Sequence, residues 1–418
     1  MNQTDTAVTR GNGQDILLQA FHWNLVKSHG TGTLDQQDKT WYQILIQKVK
    51  EIAEMGITIV YLPPPWIDDS KWEKDEKHGG GEGYFWRDFD LNSRYGTKHQ
   101  LIELVQIFHR YNIKVIIDIV LNHRDRFRMQ NDVWHFPGPA WRANGSDTGG
   151  AFFDGSCDLK LDQPEVYERF KHALNELLDD CQVDGWRWDF VWGYHPNDVF
   201  NLIKDTKKVE YFSVGEYWQA ANITDDPMFK RYGGSESSRI IGWAKDSGCC
   251  VFDMVLKREI NSATAYNLKN GLNLHNDPEI RSSIATLVEN HDTGASPYSP
   301  SNGWGQKVWE CPPNFKSRAY AFILSTPGTP CVYWPDYFDW GLTEIKDLIR
   351  ARKKAEITSR SEWINFSESC GGFAAIIKNA KGMEALAVSI DSSFQAPDLS
   401  WEIEAEKKGE WTVWLKKS

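Results

Sequence analysis

The chain has 418 residues, 41% of them hydrophobic and 25% charged, and a formal net charge of −11. This length gives room for a sizeable core, and the acidic balance excludes nucleic acid as the main partner, because phosphate binding needs clustered Lys and Arg. No apolar run approaches the roughly 20 residues of a membrane-spanning helix, so no membrane association is expected. The seven cysteines show no metal-ligand spacing, which fits free buried thiols. The opening MNQTDTAVTRGNGQ has no basic start followed by an apolar run. The expected location is therefore the cytoplasm, or outside the cell for a chain whose leader has been removed. Twenty Trp, 20 Phe and 15 Tyr are an unusual load. Many Trp stand in polar, Gly-rich surroundings, and flat apolar faces with a polar edge are what sugar rings stack on.

Ile16–Trp23 is an apolar run of strand length, and Trp41–Met55 has helical spacing ended by Gly56. Ile57–Leu62 is a continuous β-branched run, as a buried parallel strand should be. A long polar loop, Trp66–Gly96, follows, of a length that is usually functional. Leu101–Tyr111 reads as a helix and Lys114–Leu121 as the third strand. After it comes an irregular segment, assigned as an inserted domain over residues 122–160. Pro164–Cys181 is a helix, Gly185–Asp189 the fourth strand, Pro196–Asp205 a helix and Tyr211–Glu216 the fifth strand. Val251–Asp253 is taken as the sixth strand, with a helix around Leu256–Ala265. Ile284–Asn290 is the seventh strand, Ser317–Ser325 a helix, Pro330–Trp334 the eighth strand and Leu342–Lys354 the closing helix.

Eight buried-type strands alternating with helices predict an α/β fold, a (β/α)8 TIM barrel spanning 1–121 and 161–354. From residue 355 to 418 the pattern turns to short alternating stretches (GGFAAIIKN, MEALAVSI, EWTVWLK), which predict a C-terminal antiparallel β domain.

In a parallel barrel the C-terminal strand ends share one face, where active sites sit. There the sequence places Asn122 and His123, Arg187 and Asp189, Glu216, and His291 with Asp292. Such acids, with flanking His and Arg, suit glycoside cleavage by a carboxylate nucleophile and a protonated carboxylic acid. Arg187, two residues before Asp189 on one strand, faces the same side and favours its ionised form. Glu216, followed by Tyr217 and Trp218, has the more apolar setting and is the expected acid.

DIVLNH (Asp118–His123), GWRWDFVWGY (Gly185–Tyr194), VGEYW (Val214–Trp218) and VENHD (Val288–Asp292) resemble, in order and spacing, the four signature regions of the α-amylase family. PPPWIDDSKW followed by GGGEGYFWRDFDLNSRYG is similar to the maltotetraose-forming members, and plant α-amylases are the other near likeness. The resemblance implies that Asp189 is the nucleophile, Glu216 the general acid/base and Asp292 the transition-state stabiliser. It implies that His123, Arg187 and His291 hold the sugar at the cleavage subsite, with Tyr84 stacked beneath it. Trp23, Trp72 and Phe85 match aromatics on the non-reducing side of the cleft, and Trp218 lines the leaving-group side. It also implies calcium, with Asn122, Asp147, Asp158 and the backbone oxygen of Gly193 on the ligand positions and Asp154 as an extra. The inserted segment is shorter and poorer in Asp than its relatives.

The function these features predict is retaining hydrolysis of α-1,4-glucans to short maltooligosaccharides by a monomer. A 4-α-glucanotransferase would use the same acids while excluding water. A non-catalytic carbohydrate-binding barrel is the remaining alternative, against which stands the presence of all three acids.

Overall fold

The computed structural model describes residues 9–25, 39–68, 82–124, 157–159, 161, 163–206, 210–218, 231–297 and 308–417. Trp72, Asp147, Asp154, most of the 122–160 segment and the middle of the Trp66–Gly96 loop lie outside them, as does the side chain of Asp158.

In chain order the first strands are β1 (Leu17–Gln19), β2 (Ile59–Leu62), β3 (Lys114–Ile119), and the two-residue β4 (His123–Arg124) and β5 (Cys157–Asp158). They continue as β6 (Gly185–Trp188), β7 (Phe212–Gly215), β8 (Cys250–Phe252), β9 (Ile284–Leu287) and β10 (Thr329–Tyr333). Eight of these close a barrel in the order β1-β2-β3-β6-β7-β8-β9-β10, with β10 returning to β1. Every pairing around it is parallel. The barrel is as the sequence predicts, because runs such as Ile59–Leu62 are buried on both faces.

The strands are shorter than the apolar runs that signalled them. Asp189, Glu216 and Asn290 therefore stand just beyond their strands, on the loops of the C-terminal mouth. The sixth barrel strand begins at Cys250 rather than Val251 and stops before Asp253. Asp253 leaves the strand to cap the next helix, accepting the Leu256 N–H at 2.9 Å. That helix accordingly runs Met254–Asn261, earlier than the Leu256–Ala265 predicted. A helix at Glu236–Ser247 has no counterpart in the sequence reading. Its start was nonetheless written in Ser235, which accepts the Ser238 N–H at 3.0 Å.

Two glycines show why the frame closes tightly. Gly56 ends the Trp41–Met55 helix at φ +92°, a left-handed geometry that favours glycine. A Cβ on Gly185 would fall 1.8 Å from the Phe212 carbonyl oxygen, so β6 and β7 admit no side chain there.

Beyond the barrel lies an antiparallel sheet of β11 (Trp363–Asn365), β12 (Phe373–Lys378), β13 (Glu384–Ile390), β14 (Trp401–Lys407) and β15 (Trp411–Lys416), ordered β11-β12-β13-β15-β14. The sequence signalled three of these five. β14 (WEIEAEK) is an edge strand carrying three glutamates. The sheet docks on the barrel helices Lys316–Ser325 and Glu344–Lys354. Trp411 Nε1 donates to Ser317 Oγ at 2.9 Å, and Phe322 meets Phe373 edge to face at 4.7 Å. No helix among the described residues is long and apolar enough to cross a membrane.

Candidate active site

The register of the barrel sets Asp118 on β3 opposite Arg187 on β6. Both are buried at the barrel mouth, and Arg187 organises what surrounds it. Its Nη1 donates to Asp118 at 2.9 and 3.1 Å and to Asp189 Oδ1 at 2.5 Å. Its Nη2 lies 2.7 Å from Glu216 Oε1, at ion-pair distance but not aligned as a hydrogen bond. One guanidinium thus faces three carboxylates. The expected contact with Asp189 is present, and Asp118 and Glu216 share the same cation. Arg187 and Glu216 lie on adjacent strands whose ends converge, so one cation reaches both acids.

Burial dominates the titration of these groups. It raises the Glu216 carboxyl to about 8, with the negative charges of Asp189, Asp292 and Asp118 adding to the rise and Arg187 opposing it. Burial raises Asp292 to about 7 and Asp118 to about 6. Asp189 is also raised by burial, against the charge and hydrogen bond of Arg187. Burial lowers His123 to about 3 and holds His291 well below the usual imidazole range, so both rings are neutral. The Gln19 amide donates to His291 Nδ1 at 2.8 Å, which leaves the imidazole proton on Nε2, 3.4 Å from Asp292 Oδ2.

Aromatic side chains build the walls. Tyr84 stacks on His291 with centroids 5.2 Å apart, and its hydroxyl donates to Asp118 Oδ2 at 2.7 Å beside that of Tyr61. The Gly83–Phe85 turn is fixed because Asp68 Oδ2 accepts the Gly83 and Phe85 N–H groups at 2.9 and 3.1 Å. Trp23 Nε1 donates to Asp292 Oδ1 at 3.2 Å. Phe85 packs against His123 at 5.7 Å. Phe190, directly after Asp189, sits at φ +48°. For an aromatic residue this left-handed backbone costs about 1–3 kcal/mol, and such strain concentrates at functional sites.

These groups surround a cleft of about 190 Å³, lined by Trp23, Tyr84, Phe85, His123, Asp189, Phe190, Glu216, Trp218, His291 and Asp292. Arg187 lies beneath its floor. The structure therefore brings together every predicted catalytic and substrate-contacting residue that lies among the described residues. It adds four that sequence reasoning passed over: Asp118, Tyr61, Gln19 and Trp309. Asp118 had a usable signal, a lone acid inside the apolar strand KVIIDI, since a buried carboxylate needs a partner. Trp309 had none. Its ring meets Trp218 at 5.5 Å, and only folding brings them together.

Beside the cleft, Asn122 and Gly193 are in close approach, for a Cβ on Gly193 would fall 2.3 Å from Asn122 Oδ1. Leu159 N–H donates to the Asn122 carbonyl at 2.8 Å, and His123 pairs with Asp158. Three of the four predicted metal positions are thus neighbours along the backbone, and the Asn122 amide oxygen and the Gly193 main-chain carbonyl are hard oxygen donors of the kind calcium prefers. Among the described residues no group of three or more His, Cys, Asp or Glu forms a metal cluster. The donor set is compatible with calcium only through oxygens of this mixed kind.

Comparison with known proteins agrees with this geometry. The family profile "Alpha amylase, catalytic domain" matches residues 35–134. The chain is 34% identical to a glucan 1,4-alpha-maltotetraohydrolase of Stutzerimonas stutzeri over 407 residues, covering 94% of this chain and 71% of the relative. It is 30% identical to the chloroplastic alpha-amylase 3 of Arabidopsis thaliana over 438 residues, covering 97% of this chain and 44% of that one. Among solved structures, CldA, a cyclomaltodextrin glucanotransferase with a three-domain ABC distribution, superposes with a TM-score of 0.70. The identity is 17%, with 97% of this chain and 99% of that chain covered.

Proposed function

The chain belongs to the α-amylase family and hydrolyses α-1,4-glucans to maltooligosaccharides; we propose that Asp189, Glu216 and Asp292 carry out the cleavage with retention of anomeric configuration. Supporting this is one observation above the others: Asp189 and Glu216 both meet the terminal nitrogens of Arg187. One guanidinium thus holds the two carboxylates as neighbours at the cleft, as a nucleophile and acid working on one glycosidic bond must be, and retention is read from the signature regions the chain shares with the family.

Glu216, protonated near neutral pH, gives its proton to the glycosidic oxygen as the bond to the anomeric carbon breaks. Asp189 Oδ attacks that carbon from the other face, forming a glycosyl ester, and Arg187 keeps its carboxylate oriented. Glu216, now ionised, takes a proton from water, which releases the sugar from Asp189. Asp292, pinned by Trp23 Nε1, faces the positive charge that develops on the ring. His123 and neutral His291 hold the sugar hydroxyls, and Tyr84 supplies the stacking platform.

Residues 122–160 are taken as an inserted domain that shares a calcium site with the barrel. Asn122, Asp158, the Gly193 carbonyl and Asp147 would hold the ion, which would brace the loop carrying His123. The assignment of acids is tested by Asp189→Asn and Glu216→Gln assayed on soluble starch. Loss of general acid catalysis alone lowers turnover by about 10²–10⁴-fold. Near-wild-type activity in either folded variant refutes the assignment.

A further inference from the structure

The VENHD stretch contains an acid that the chemistry above does not use. Glu289 is fully buried two residues after β9, between two lysines. Lys257 Nζ donates to its Oε2 at 2.8 Å, and Lys316 Nζ stands 3.8 Å from its Oε1 while donating to Asp336 at 2.5 Å. Two further bonds give Glu289 a more specific place. The Thr293 hydroxyl donates to Oε2, and the Cys311 N–H donates to Oε1 at 2.6 Å.

The first bond leads to Asp292. Thr293 Oγ1 in turn accepts the Asn290 N–H at 3.0 Å, and Asn290 Oδ1 accepts the Asp292 and Thr293 N–H groups at 3.0 Å each. The turn presenting Asp292 is therefore folded over the Glu289 side chain. Gly294 is required for this, since a Cβ there would sit 2.8 Å from that of Glu289. The second bond leads toward Trp218, which lines the cleft. Cys311 lies two residues after Trp309, whose backbone is left-handed at φ +62° and whose ring faces Trp218. A bulky residue in that conformation persists only where its surroundings hold it.

We propose that Glu289 is a positioning residue that fixes the Asp292 turn and the Trp309 segment in one register, so that a sugar stacked on the Trp218–Trp309 pair is held at a set distance from the cleavage point. This rests on the roles given above to Asp292 and to the Trp218 side, and it adds a specificity element for the leaving-group sugars. The charge of Glu289 is balanced by Lys257 and Lys316, and its contacts tie its own turn to the Met254–Asn261 helix and to the Cys311–Lys316 stretch. Rigidity at that junction is what couples the two walls.

The test compares kcat and KM for maltooligosaccharides whose cleaved portion carries one or two leaving-group glucose units. In the native enzyme the longer leaving group raises kcat/KM by about 3–10-fold, the worth of one aromatic stacking contact. Trp309→Ala removes that advantage. Glu289→Gln removes it as well and also lowers kcat, and the double variant shows no further loss in the leaving-group ratio. Glu289→Asp keeps the charge between the lysines but falls short of the Cys311 N–H, so it serves if the Gln variant does not fold. A folded Glu289 variant that keeps the full leaving-group ratio, or additive losses in the double variant, overturns the proposal. If instead Asp189→Asn and Glu216→Gln stay active, the reading of the site itself has failed, and the two failures are distinct.

Discussion

Replacing Glu216 by Gln should stabilise the fold at alkaline pH even as it removes activity. The folded protein raises this carboxyl from 4.5 to about 8, chiefly by burial. Between those values the folded form retains a proton that the unfolded chain has released, so the stability it confers is present at low pH and lost as pH rises through about 8. At 1.36 kcal/mol per pKa unit, the loss from pH 5 to pH 9 is on the order of 3–5 kcal/mol. Glutamine has nearly the same shape and no charge to desolvate. Arg187 still keeps Asp118 and Asp189, so it is not left unpaired. Urea unfolding of both proteins at pH 5 and pH 9 measures the effect, because all other titrating groups are common to the two. The variant should gain several kcal/mol over the native protein at pH 9 relative to their difference at pH 5. An equal difference at both pH values refutes the claim that burial keeps Glu216 protonated.

The same proton sets an alkaline limit on catalysis. kcat/KM on starch should fall above about pH 8, measured as a pH–rate profile, because the ionised acid cannot protonate the leaving oxygen. Asp118→Asn should cost about 1.5–3 kcal/mol in urea unfolding at pH 7, the worth of a charged hydrogen bond. It should raise KM as well, since Tyr84 and Arg187 both lose their anionic anchor. Exhaustive chelation should lower the melting temperature if calcium binds at Asn122 and Gly193. Restoring it to about a hundredfold above its Kd should return about 2.7 kcal/mol, and an unchanged midpoint counts against the site.

Much of this molecule was legible in its primary structure. Continuous β-branched runs gave the barrel strands because a parallel sheet covered on both faces has no polar side to display. The Trp41–Met55 helix was read to the residue because Gly56 marks its end chemically. Where the signal was mixed the reading slipped. The Glu236–Ser247 helix has one short apolar block, IIGWA, between polar ends, and edge strand β14 carries glutamates, so neither shows the extended pattern of a buried element.

The sequence by itself determined which residues stand at the barrel mouth, because strand order and strand ends follow from local pattern and chain connectivity. It pointed to the proposed chemistry too, since Asp189, Glu216 and Asp292 fall at those ends in signature surroundings. Tertiary structure alone decided how the charge is shared. That Arg187 meets Asp118, Asp189 and Glu216 together depends on the register of β3, β6 and β7. That Glu289 is bonded both to the Asp292 turn, through Thr293, and to the chain just after Trp309, through the Cys311 N–H, depends on a contact 22 residues along the sequence. Electrostatic coupling falls with distance in space, and distance along the chain says nothing of it until the barrel has closed.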